Sequence, residues 1–191
     1  MSGARGKKWS MHTYKQNWFK FALGFVMCLV IRLMPFRPPN IEPIMATVMP
    51  FGRAYGKMAG FVFAFSSMIM LDCLVGKVGI WTFATALAYG LVGAGAVLYF
   101  KNKENTAWNY AKYAIISTLF FDAVTGLTIG PLFFGQSFIA AVIGQIPFTA
   151  MHLLGNVAFA VILSPALYAF VIENKTFESS QLFIHLNPRH L

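Results

Sequence analysis

Apolar positions in this chain run in long blocks rather than in the short periods of a water-soluble fold, and charges, prolines and glycines mark where the blocks end. Six segments emerge: 18–34, 41–51, 58–75, 80–100, 113–129 and 147–172. Five have the length of a membrane-crossing helix. The second has only 11 residues, about 17 Å against a hydrocarbon core of about 30 Å, so it is expected to start inside the protein, with the preceding loop dipping inward. The expected fold is an all-α integral membrane protein. It is a bundle of six transmembrane helices with a short second helix and a dipping loop between helices five and six. A basic cytoplasmic leader (1–17) precedes the six-helix transmembrane domain (18–172), and a cytoplasmic tail (173–191) follows.

Composition sharpens this picture. Of 191 residues, 58% are hydrophobic and only 11% charged, which excludes an ordinary soluble globule. The 15 Lys and Arg against 6 Asp and Glu sit at segment edges rather than in a basic-aromatic patch, which argues against nucleic acid as a partner. They read instead as topology. A cytoplasmic N-terminus puts Arg5, Lys7, Lys8, Lys15, Lys20, Arg53, Lys57, Lys101, Lys103, Lys112, Lys175 and Arg189 inside, and only Arg32, Arg37 and Lys77 outside. Both termini are then cytoplasmic in a multi-pass protein of the cell membrane. Arg32 and Pro35 stand where a signal peptide would need small residues, so the first segment is expected to persist as a helix.

Ionisable groups at membrane depth carry the chemical information, because each is costly to insert. Asp72 and Asp122 lie in the outer halves of the third and fifth helices, His152 lies near the outer end of the sixth, and Arg32 and Glu42 flank the first outer loop. Their similar depths point to one outward-facing pocket. Packing ion pairs are the alternative: Asp72 with Lys77, and Arg32 or Arg37 with Glu42. His152 and Asn156, at i and i+4, share a helix face that serves a ligand or an interhelical hydrogen bond equally well. Phe134 and Gln136, with Phe133, lie in the Gly-interrupted segment 130–147 and can cover a bound molecule. Asn40 and Trp81 complete the candidate substrate-binding set. Ser67, Asp72, Gly76 and Gly79 recur about 50 residues on as Ser117, Asp122, Gly126 and Gly130, a weak parallel repeat.

Enzyme readings find little support. Gly6-Lys7, Gly56-Lys57 and Gly76-Lys77 lack the remainder of a phosphate-binding loop, and neither HExxH nor GxSxG occurs. Asp72 and Asp122 lack the GxGD context of membrane aspartyl proteases. Cys28 and Cys73 have no partner at metal-binding spacing, so no metal site is expected. Small residues at four-residue spacing (Gly24 with Cys28, Gly56 with Gly60, Ala86 with Gly90 and Ala94) allow close helix approach.

Three stretches carry a resemblance. RLMPFRPPNIEPIMATVMPFGRAYGKMAG, IPFTAMHLLGNVAFAVILSPALYAFV and the order of the spans between them resemble the substrate-binding S component of energy-coupling factor (ECF) vitamin transporters over residues 18–172. The resemblance implies capture of a small water-soluble, vitamin-like nutrient from outside. It also implies delivery through partners, one ECF coupling membrane protein and two ATPases, with ATP used by those subunits and no cofactor in this chain. Family members present an Ala-x-x-x-Ala face on the first helix to the coupling protein; the nearest match here is Gly24 to Cys28, the expected partner-docking residues, with Ala22 facing Val26. Some members place a Lys in the sixth helix shortly after the Pro-Phe pair, near the position of His152. Two other readings compete: a structural six-helix envelope assembly protein, and an intramembrane enzyme using Asp72 and Asp122.

Overall fold

A computed structural model describes residues 18–34 and 42–178. Among them every regular element is helical: α1 (Trp18–Leu33), α2 (Ile44–Tyr55), α3 (Lys57–Leu74), α4 (Ile80–Phe100), α5 (Ala107–Gly126), the single turn α6 (Ile129–Phe133) and α7 (Phe138–Leu167). A π-helical turn, Tyr168–Ile172, prolongs α7, and a short 3₁₀ turn, Lys175–Phe177, follows. Four stretches are long and apolar enough to cross a membrane: Lys57–Leu74, Ile80–Phe100, Ala107–Phe133 and Phe138–Ile172. Their outer faces expose large apolar side chains such as Leu91, Leu98, Ile116, Ile143 and Ile162, as a lipid-facing surface requires. The chain is a multi-pass membrane protein.

The short second helix is the centre of the bundle. Residues 44–52 are all buried, and a helix apolar on every side has nowhere to sit but the middle of other helices. Its 12 residues span about 18 Å. It continues past the expected end at Phe51, carrying Arg53 out to a hydrogen-bonded and aromatic site. The guanidinium donates to the Lys103 and Glu104 carbonyls at 2.7 and 3.1 Å and lies over the Phe100 and Tyr168 rings. One residue, Gly56, joins α2 to α3 at φ 94°, ψ 176°, a conformation that a Cβ would strain.

Close packing around α2 relies on three glycines. A side chain at Gly60 would meet the Gly93 carbonyl, one at Gly93 would meet the Gly60 carbonyl, and one at Gly52 would come within 2.7 Å of the Gly93 carbonyl. The backbones of α2, α3 and α4 therefore touch directly, which maximises van der Waals contact where lipid offers no hydrophobic drive. The Gly56/Gly60 and Ala86/Gly90 spacings serve this internal packing, with Gly90 against the Phe61 ring.

Two boundaries differ from the sequence expectation. The fifth helix starts at Ala107 because Thr106 caps it, accepting from the Asn109 amide. Lys112 is accommodated inside the helix, its ammonium 5.0 Å over the Trp108 ring. The sixth expected helix is α7, which begins at Phe138 behind the Ser137 cap and runs through Pro147 and Pro165. Residues 138–146, expected as part of a dipping loop, are thus the first turns of a helix. The loop shrinks to the tight connection at Gly135, φ 65°.

Candidate functional site

Where α3, α4, α5 and α7 meet, the protein forms an open recess of about 280 Å³. Its wall is mostly aromatic and aliphatic (Tyr89, Phe121, Phe148, Met68, Ile129), with a few polar groups: Glu42, Thr85, Thr125, Gln145 and His152. That mixture suits a small, largely planar molecule with a few fixed polar points.

A buried polar pair stands behind one wall. Asp122 on α5 and His152 on α7 are 2% and 3% exposed, and His152 Nδ1 lies 2.7 Å from Asp122 Oδ1. Tyr89 Oη on α4 lies 3.4 Å from the other ring nitrogen, Nε2. Phe121 and Phe148 meet the imidazole edge-on, and Phe121 also lies against Tyr89 with ring centroids 4.1 Å apart. One helical turn deeper, Asn156 Nδ2 donates to Thr118 Oγ1 at 2.9 Å. The α5–α7 contact therefore carries two polar rungs, at i and i+4 on both helices.

A second pair, with Arg32 buried and Glu42 partly exposed, closes another side. Arg32 Nη2 lies 2.8 Å from Glu42 Oε2, and Nη1 donates to the Ser67 carbonyl at 3.2 Å. The cation ties the C-terminal end of α1 to the start of α2 and to α3. Its buried charge is matched by a carboxylate and a backbone dipole.

The sequence candidates separate accordingly. Glu42 and His152 line the recess, with Arg32 and Asp122 bonded directly behind them. Asn156 is fully buried below them. Asp72 stands apart: its carboxylate accepts from Thr82 Oγ1 at 2.5 Å, closing the turn between α3 and α4. The repeat thus places two aspartates in different work, although Ser67 and Ser117 both bond back to their own helices. Trp81 and Phe134 are exposed, with ring centroids 6.1 Å apart. Gln136 is exposed, its side-chain oxygen folded toward Gly130. Asn40 lies outside the described residues.

The structure places the expected docking pair, Gly24 and Cys28, inside the chain: both are buried, and a Cβ on Gly24 would lie 2.1 Å from the Phe51 ring of α2. This small-residue face is consumed within the chain because a fully enclosed α2 needs a close neighbour. Sequence reasoning missed Tyr89, Phe121, Thr85, Thr125, Gln145 and Phe148. Gln145, a lone amide in an apolar run, was the one visible signal among them.

Comparison with known proteins decides the family. The family model for the ECF-type riboflavin transporter S component matches residues 9–116, just over half of the chain. The chain belongs to this family of S components. No curated protein and no solved structure matches it. The matched residues include Arg32, Glu42, Asp72 and Tyr89 and stop before Asp122 and His152. As an S component the protein is a membrane substrate-binding subunit that works with an ECF module, and it is a transport protein rather than an enzyme. Asp72 and Asp122 fit that conclusion, since each is bonded to a different partner in a different part of the fold.

Proposed function

We propose that this S component captures riboflavin from the outer side and hands it to a separate ECF module, whose coupling protein and two ATPases supply the energy from ATP. The recess is the observation that carries the substrate reading. Tyr89, Phe121 and Phe148 offer apolar surface for a tricyclic ring, and Glu42, Gln145 and His152 offer polar groups for its edge. The matched family bears riboflavin in its name. The fold crosses the membrane six times with both termini cytoplasmic, and the connection around Gly135, with Trp81 and Phe134 above it, lies on the outer side. Substrate release needs an outside bias on the chain's orientations, which a bundle without its own energy source obtains from its partners.

The purified chain in detergent tests this reading. Riboflavin is expected to co-purify or to bind with quenching of its fluorescence, and mass spectrometry of the released small molecules identifies it. Preparations that bind no flavin but retain another small nutrient would replace the substrate. Retention of no small molecule, with a protein partner instead, would favour the assembly-protein reading.

A further inference from the structure

The Asp122, His152 and Tyr89 contacts have a direction as well as a geometry. An ionised carboxylate can only accept, so at 2.7 Å the proton on that edge belongs to His152 Nδ1. A neutral imidazole carrying hydrogen on Nδ1 has a lone pair on Nε2, and the group facing that lone pair is the Tyr89 hydroxyl at 3.4 Å. If the hydroxyl hydrogen turns toward Nε2, the oxygen of Tyr89, a residue that lines the recess, keeps lone pairs free to accept. Every donor in the chain of three then points toward the carboxylate.

We propose that Asp122, His152 and Tyr89 form a one-way hydrogen-bond relay that presents an acceptor to the recess and so selects ligands bearing a ring N–H. Asp122 acts in it as a positioning residue, through the tautomer of His152, and Tyr89 is the ligand-contacting end. The other charged groups near this wall are Glu42 and Arg32, paired with each other at 2.8 Å. Neither supplies a proton to His152. The inference rests on the flavin reading for its choice of probe: the pyrimidine ring of riboflavin carries one imide N–H, and methylating that nitrogen removes the donor while leaving the tricycle intact.

Two measurements on the full chain in detergent decide the relay. Nitrogen-15 spectra of labelled histidine, with the His152 signal assigned by its loss in His152→Gln, are expected to show the Nδ1–H tautomer. In Asp122→Asn that preference should relax to a mixture. In parallel, wild-type protein should prefer riboflavin over its imide-methylated analogue by roughly tenfold or more, the value of a buried hydrogen bond. Tyr89→Phe, which keeps the ring, should reduce that preference to about twofold or less, while Glu104→Gln on the exposed loop retains it. An Nε2–H tautomer in the wild type, or undiminished discrimination in Tyr89→Phe, overturns the relay. Should neither flavin bind any variant, the substrate reading falls and the histidine spectrum alone decides the relay.

Discussion

The ring of Phe51 occupies the space that a side chain at Gly24 would need. A glycine on α1 thus lets the central short helix come within contact of the first one. The same ring stacks on Phe63 at 4.9 Å between centroids, so it has little freedom to move aside. Gly24→Leu is therefore expected to overpack the core by about 1–3 kcal/mol. Thermal melting of the detergent-solubilised variant should fall, and ligand affinity with it. Normal melting together with loss of the ECF module would return Gly24 to a docking role.

Removing Glu42 strands the buried Arg32 charge. Glu42→Gln should cost about 3–5 kcal/mol, much more than the double variant Arg32→Met with Glu42→Gln. A double-mutant cycle from melting data measures the difference. Additive single effects would mean that the pair contributes no coupling, despite its 2.8 Å separation.

Asp72 and Asp122 should part in function. Asp122→Asn leaves His152 without its charged partner beside the recess and is expected to weaken flavin binding roughly tenfold. Asp72→Asn alters the hydrogen bond to Thr82 at the α3–α4 turn and should leave affinity within about twofold. Fluorescence titration of both variants tests this, and equal losses would contradict the separation.

Orientation can be read with single cysteines on a background in which Cys28 and Cys73 are replaced by Ala. An impermeant thiol reagent applied to intact cells should label a cysteine at Asn40 and spare one at Asn102, because the basic loop after α4 is expected inside. The opposite pattern would invert the site and defeat capture from outside.

The long apolar helices were legible from sequence because lipid forces continuous hydrophobic runs. α4 in particular spans Ile80–Phe100 as its run does. Helix starts were harder, since they depend on caps: Thr106 and Ser137 begin α5 and α7 ahead of residues that read as loop. Polar pairing was half visible. Intramembrane Asp122 and His152 announce themselves by the cost of burying them, and the sequence placed them at one depth. That they bond each other, while Asp72 turns to Thr82, depends on helix rotation, which a run with apolar residues on every face does not encode. Tyr89 and Phe121 were invisible for the same reason, being two aromatics among many.

The glycine contacts among α2, α3 and α4 and the polar rungs between α5 and α7 divide the bundle into two tightly knit halves, each held by a different kind of bond. The recess lies between them, taking Met68, Thr85 and Tyr89 from one and Phe121, Thr125, Phe148 and His152 from the other. Farther along α5, the Tyr113 hydroxyl fastens the halves by donating to the Val92 carbonyl at 2.5 Å. The recess is thus a seam between two separately packed sets of helices, and the bonds that cross the seam, Tyr113 to Val92 and Ser164 to the Ala46 carbonyl among them, set its width.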